Sequence, residues 1–458
     1  MSAEHARGKS PAPQKSAPAA ANPRRMALSV LLRMQLPAME GPADGYSNLL
    51  IDAAVKSAGP ALSDADKALF CRLVAGVCER RITLDRLIAG LSARHPSKLD
   101  ADVLNILRLG LWQLRYADRI PEHAAVNETV NLAKKYSRSF VNAVLRGYLR
   151  QKDSIELPAG SGAEALSVRY SVGKELCAAY LASFGAEKTE SILAASFDAP
   201  KMTLRANTLR TSREALAERL EAEGFASVPT ADAPHGLKLT EGSGIPAALR
   251  DGLCYVQDEA SQICAAVLDA QPGERVLDVC ACPGSKSFGA AMSMRNRGEI
   301  RSCDLHASKL PLIIREAEKL GITVIKTECR DSSAAKPEEA ETYDRVICDV
   351  PCSGFGVLAK KPEIRYKDVK EARKLPALQY KILEAAAAAL KKGGTLVYST
   401  CTILPEENEG NVRAFLKNHP EFSCEAFAVG SRTAPDGMLT LFPDEGTDGF
   451  FIAKLRKK

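Results

Sequence analysis

From about residue 255 the chain alternates between short apolar runs and helical periods, and this alternation constrains the fold more than any other feature. "RVLDVC", "GEIRSCDL", "TVIKTECRD", "DRVICDV" and "TLVYST" read as strands. "SFGAAMSMRN", "SKLPLIIREAEKLG", "VKEARKLPALQYKILEAAAAALKKGG" and "PEENEGNVRAFLKN" read as helices, the third interrupted near Pro376. Strands separated by helices pair in parallel, with each crossover laying a helix on a face of the sheet. The expectation over 255–458 is an α/β, doubly wound Rossmann-like domain. "GFFIAKLRKK" ends the chain as a strand whose pairing the pattern leaves open.

Ligands of such sheets bind beyond the carboxyl ends of the strands. Here those ends carry a series of reactive residues. Asp278 lies in the first strand and is followed by the loop "CACPGSKS"; Asp304 ends the second, Asp331 the third, Asp349 the fourth and Cys401 the fifth. A Walker A loop requires glycine directly before its Lys-Ser pair, and here Ser285 precedes Lys286. The GxGxxG dinucleotide fingerprint is absent after the first strand. One glycine for close backbone approach, a stiffening proline and an acid placed for ribose hydroxyls point to a nucleoside cofactor without phosphates. S-adenosylmethionine is the expected cofactor.

At 458 residues the chain is too long for one ordinary core. Residues 1–22, rich in Pro, Ala, Ser and Lys, read as a disordered basic tail without a secretory signal. Residues 23–150 read as all-helical: Pro23 suits a first turn, and Ser63 and Asp66 stand at capping-box spacing, Asp being a shorter stand-in for Glu. Two more helices break near Ser137. Residues 151–254 read as a small α+β segment, with a strand in "KMTLRANTLR", a helix closed by Gly224 and a strand in "GLKLTEG". The longest apolar runs fall short of a membrane span.

The 13 cysteines include no CxxC pair, and none of the six histidines stands at zinc-ligand spacing. That argues against a disulfide framework or a structural zinc, and for a reducing, cytoplasmic setting. Cys71, Cys78, Cys177, Cys303 and Cys348 fall in helix or strand patterns and read as core. Cys280, Cys282, Cys352 and Cys401 sit at strand ends, where a thiol can face a cleft. Cys352 and Cys401 follow adjacent strands, with Asp349 and Lys286 as an acid–base partner and a cation. Thiol beside methyl donor suits one problem. Carbon 5 of a pyrimidine becomes nucleophilic once a thiolate adds to carbon 6, and a base must then remove the carbon 5 proton. The residues alone do not rank the two thiols. The net charge of +6 permits an anionic partner.

"PGSK", "DVPCSGFGVLAKKPEIRY" and "GGTLVYSTCTILPEENE" resemble the motifs of the Sun-type RNA (cytosine-5)-methyltransferases. "GLCYVQDEASQ" is similar to that family's opening segment, and "FVNAVLRGYLR" to the end of a NusB-like RNA-binding domain. The combination, from about residue 23 to 458, resembles the bacterial RsmB type. The resemblance implies methylation of a 16S ribosomal RNA cytosine, with Cys401 as nucleophile and Cys352 assisting product release. It implies that Lys286 and Asp349 hold the base. Cofactor contacts would come from Cys280, Ala281, Cys282, Pro283, Gly284, Ser285 and Lys286, from Asp304 at the ribose, from Asp331 near the adenine and from Asp349 near the methionine. Cys282 and Ser285 depart from the family's usual Ala and Gly. The expected partner is RNA, 16S ribosomal RNA first, with no membrane, no metal and a monomeric enzyme. The alternatives are a cytosine-5 methyltransferase for transfer RNA or another ribosomal site, and a NusB-like assembly factor.

Overall fold

The computed structural model describes residues 22–37 and 47–458; the expected basic tail, apart from Asn22, lies outside them. The chain forms two compact units divided after Ile155.

The described part of the first unit is helical: α1 (Pro23–Arg33), α2 (Ser47–Ala58), α3 (Asp64–Ser92), α4 (Ala101–Tyr116), α5 (Glu122–Val130) and α6 (Arg138–Gln151). Pro23 opens α1, whose first free N–H groups, those of Arg24 and Arg25, donate to the Asn22 side chain. At α3 only half of the capping box forms. The Ser63 hydroxyl accepts from the Asp66 N–H, but the Asp66 carboxylate takes the Ser63 hydroxyl proton at 2.6 Å. One methylene shorter than Glu, it does not bond the Ser63 N–H. The core is built from Leu73, Val77, Leu107, Leu111 and Val144. Gly76 lies against Trp112, where a Cβ would sit 2.0 Å from the indole. Asp85 and Arg108 form a fully buried bidentate pair, both bonds 2.7 Å.

The second unit opens with α7 (Ala163–Tyr170) and α8 (Lys174–Ala195), the latter broken at Gly185 with φ +76°. A four-stranded antiparallel sheet follows in the order β2-β3-β1-β4. It contains β1 (Thr203–Ala206), α9 (Arg213–Ala222), β2 (Ala226–Pro229), β3 (Gly236–Glu241), α10 (Ala247–Arg250) and β4 (Cys254–Val256). β4 pairs with β1 and so straddles the expected boundary at 254/255.

Next come α11 (Glu259–Leu268), β5 (Arg275–Asp278), α12 (Ser285–Ser293), β6 (Glu299–Asp304), α13 (Leu310–Leu320), β7 (Ile325–Cys329) and β8 (Tyr343–Asp349). They are followed by α14 (Val369–Ala372), α15 (Leu375–Ala388), β9 (Leu390–Thr400) and α16 (Glu409–Asn418). The expected long helix is thus split, with Pro376 in the first turn of α15. β10 (Phe422–Cys424), β11 (Phe427–Val429), β12 (Arg432–Ala434), β13 (Met438–Leu441) and β14 (Phe450–Lys457) end the chain.

The large sheet runs β10-β14-β9-β8-β5-β6-β7, with β13 also on β14. β5 to β9 are parallel. β14 returns antiparallel along β9, from Phe451 opposite Thr400 to Arg456 opposite Thr395, which settles the pairing left open above. Along each central strand alternate residues enter different cores. Val276, Ile347 and Val397 pack on one side, Leu277, Val346, Cys348 and Leu396 on the other. Coverage of both faces explains why these strands read as nearly continuous apolar runs. The strand order reverses between β5 and β8, so the crevice lies at their carboxyl ends. Cys78, Cys177, Cys303 and Cys348 are buried, as expected; Cys71, expected in the core, is partly exposed. No described helix is long and apolar enough to cross a membrane.

Candidate active site

The loop after β5 is held from both sides. The Ala281 N–H donates to the Cys303 carbonyl at 2.7 Å, and the Gly284 N–H to the Ala281 carbonyl at 2.6 Å. Gly284 has φ +107°, and a Cβ there would lie 2.4 Å from the Phe288 ring, so only glycine fits the turn. The Ser285 carbonyl accepts from the Tyr255 hydroxyl and the Gln257 amide, both at 3.1 Å. These partners, from β4 and the residue after it, were quoted in "GLCYVQDEASQ" without a role; only the tertiary contact reveals one.

Because α12 begins at Ser285, Lys286 projects from its first turn, and its ammonium, nearly buried, meets the Asp349 carboxylate at 2.6 Å. The other Asp349 oxygen accepts from the Ser399 hydroxyl at 2.7 Å. Burial alone would pull Lys286 down, but Asp349 and Cys264 outweigh it and hold the ammonium above its ordinary range. Lys286 is therefore a fixed cation at the switch point.

Asp278 is 1% exposed. Its Oδ2 accepts from the Ser287 hydroxyl at 2.7 Å, while its Oδ1 is buried without a partner. Burial pushes this carboxyl up to about 7, against the Ser287 hydrogen bond. Asp304, at the end of β6, accepts the His306 N–H on Oδ1 at 2.8 Å. No protein hydrogen bond reaches its Oδ2 among the described residues. Cys282 lies beside it, its thiol near the Lys309 carbonyl at 3.8 Å. Asp331 stands just beyond β7 and is exposed. Its Oδ1 is taken by the N–H and hydroxyl of Ser333, which hold its carboxyl down; these contacts stay within its own loop.

The register of β8 on β9 pairs Asp349 with Ser399. The turns that follow bring the Cys352 and Cys401 Sγ atoms to 3.2 Å, and the Cys401 N–H donates to the Cys352 sulfur at 3.3 Å. Both thiols are partly exposed. Hydrogen bonding from Cys352 holds the Cys401 thiol below the ordinary range against burial and Asp349, with Lys361 and Lys286 assisting. The Cys401 contact and burial hold Cys352 well above it, and Glu407 adds to this. Ser399, Lys361 and Glu407 lay inside quoted motifs, but nothing in their spacing marked them.

The donor set fits S-adenosylmethionine. Asp304 offers a free carboxylate oxygen to ribose hydroxyls, and a carboxylate at that place disfavours a phosphate there. No group of three or more His, Cys, Asp or Glu side chains that could hold a metal ion occurs among the described residues.

Comparison with known proteins finds family matches over three stretches of the chain. Residues 265–456 match the family described as 16S rRNA methyltransferase RsmB/F, residues 21–150 the NusB family, and residues 176–245 the ferredoxin-like domain of RsmF/B-like methyltransferases. The probable ribosomal RNA small subunit methyltransferase B of Bacillus subtilis is 37% identical over 453 residues, covering 95% of this chain and 98% of that protein. The ribosomal RNA small subunit methyltransferase B of Escherichia coli is 34% identical, covering 87% and 92%. Among solved structures, that of PH0851 superposes with a TM-score of 0.77 at 25% identity, covering 97% of this chain and all of the other. The chain belongs to the RsmB/F family of 16S ribosomal RNA methyltransferases, which take the methyl group from S-adenosylmethionine.

Proposed function

We propose that this enzyme methylates carbon 5 of one cytosine in 16S ribosomal RNA through a covalent cysteine adduct. The observation that carries the reading is the contact of two partly exposed thiols at 3.2 Å beside a Lys–Asp pair at 2.6 Å. Bound at the strand ends, S-adenosylmethionine supplies an electrophilic methyl group. Cys401, the thiol held toward its thiolate form, adds to carbon 6 and makes carbon 5 nucleophilic. Lys286 and Asp349 hold and polarise the base. Asp304 would hold the ribose hydroxyls, residues 280–286 would contact the cofactor, and Asp331 would serve the adenine.

Once Cys401 is bonded to carbon 6 its charge no longer opposes ionisation of Cys352, which loses its proton to solvent. After methyl transfer the Cys352 thiolate takes the carbon 5 proton, and the electrons of that C–H bond re-form the ring double bond. The bond from carbon 6 to sulfur then breaks to release Cys401 as thiolate. The target base enters unstacked, since a stacked base hides the carbon 6 face. The enzyme works as a monomer, without a metal, in the cytoplasm.

The test is methyl transfer from labelled S-adenosylmethionine to protein-free 16S RNA, with nucleoside analysis and bisulfite mapping. Labelled 5-methylcytosine at a single position is expected. Label in another atom or only in transfer RNA, or no label in ribosomal RNA or its subunit, overturns the reading.

A further inference from the structure

Two thiols in contact do not both ionise, because a second negative charge at that distance is strongly disfavoured. The contact itself does not decide which sulfur keeps its proton, and the Cys401 N–H pointing at Cys352 favours charge on the wrong one for attack by Cys401. The deciding groups lie around the pair. On the Cys401 side stand Lys286, Lys361 and Asp349; on the Cys352 side stand Glu407 and, opposing it, Lys367, whose ammonium donates to the Ser353 carbonyl at 3.0 Å.

Glu407 is an unusual residue. It is 2% exposed. Its Oε2 accepts from the Ser353 N–H at 2.9 Å, directly after Cys352, and from the Gln379 amide at 2.8 Å. Gln379 also donates to the Pro351 carbonyl at 3.0 Å, so one acid clamps the turn on both sides of the cysteine. The other carboxylate oxygen is buried without a partner. Tyr180 and Tyr398, the other titratable groups facing Glu407, are kept protonated by burial, and the Tyr398 hydroxyl donates to the Glu407 backbone carbonyl. A buried acid with an unpaired oxygen costs stability unless something else requires it.

We propose that Glu407 is the positioning residue that ranks the two thiols: its carboxylate beneath the Cys352 turn keeps the proton on Cys352 and leaves the charge to Cys401. The inference rests on the two-thiol reading above, but its test needs neither RNA nor methyl donor, so the two fail separately.

Full-length protein and its Glu407→Gln variant are alkylated with iodoacetamide across a pH series. Initial labelling rates at Cys352 and Cys401 are followed separately by mass spectrometry. In the unmodified protein Cys401 reacts at lower pH than Cys352. In Glu407→Gln the Cys352 midpoint falls by about one pH unit, about tenfold in the thiolate ratio. Glu407→Asp, which keeps the charge, restores the separation, which a purely structural role would not do. Unchanged midpoints in Glu407→Gln overturn the proposal. Should that variant fail to fold, Cys352 reacting below Cys401 in the unmodified protein overturns it equally.

Discussion

The Cys352 and Cys401 sulfurs, on turns after two adjacent parallel strands, lie 3.2 Å apart and share one hydrogen bond. The pair therefore acts as a unit with one proton to place. Lys286 and Lys361 draw charge toward Cys401, while Glu407 opposes it at Cys352. If Cys401 attacks and Cys352 releases, removing each thiol blocks a different step. Cys352→Ala, incubated with 16S RNA and S-adenosylmethionine, accumulates a protein–RNA adduct that survives denaturing electrophoresis. Cys401→Ala yields neither adduct nor methylated RNA. Adduct formation by the Cys401 variant would reverse the two roles.

The Lys286–Asp349 pair makes a second prediction. Lys286→Met removes the cation and leaves a partly buried carboxylate with Ser399 as its one remaining hydrogen-bond partner among the described residues. Losing one partner of a buried pair costs about 3–5 kcal/mol, and the 28% exposure of the Asp349 side chain brings this to about 2 kcal/mol. Urea unfolding of the variant checks the loss. If Lys286 polarises the base as proposed, methyl transfer falls further than stability explains. Ser399→Ala, which removes one neutral hydrogen bond, costs about 1 kcal/mol in the same assay.

Asp278 couples the site to pH through stability. Its carboxyl is raised by burial from its ordinary 3.8 to about 7. In that window the folded chain holds more protons than the unfolded one, so stability is fully present at the acid end and declines as pH rises through the folded value. The decline amounts to at most ~4 kcal/mol. Asp278→Asn keeps an acceptor for the Ser287 hydroxyl and has no charge to bury. Its unfolding free energy therefore lacks this decline, and near neutral pH the variant is the more stable protein. Parallel slopes for the two proteins across the window would refute the assignment.

How far these relationships were legible beforehand depended on the range of the interaction. The five parallel strands were legible because burial on both faces leaves unbroken apolar runs, as in "RVICDV" and "TLVYST". The acids and thiols at their ends were legible because the fold class says where strand ends converge. The return of β14 along β9 was not, since register is set by partners far away in the chain. Strands β10 to β12 are three residues each, too short to show a period. α8 is broken at Gly185, and its two halves share no apolar stripe. In the site, the hidden residues were those whose job is to hold backbone: Tyr255 and Gln257 on the Ser285 carbonyl, and Glu407 on the Ser353 N–H. Backbone partners leave no trace in residue type.

A backbone contact also carries the last prediction. The Gly356 N–H donates to the Cys401 carbonyl at 3.0 Å, and the Gly356 carbonyl accepts from the Gly449 N–H at 2.8 Å. A Cβ on Gly356 would lie 1.9 Å from the Gly449 carbonyl oxygen and 2.9 Å from that of Cys401. Both obstacles are backbone, so neither can turn aside as a flexible side chain would. Gly356→Ala must therefore move the segment around Gly449 that leads into β14, the Cys401 turn, or both, at a cost of about 1–3 kcal/mol. Displacing the Cys401 turn separates two sulfurs whose contact makes them share one charge, and moves Cys401 relative to the charges around it. The variant is expected to unfold at lower urea concentration and, while still folded, to lose the preferential alkylation of Cys401. Gly354→Ala, near Cys352, serves as the contrast. Its Cβ meets the flexible tip of Ile364 at 3.0 Å, although its φ of +78° strains any side chain there. That variant loses stability but keeps the Cys401 preference, and equal loss of preference in both would show that the contact at Gly356 has no special hold on Cys401.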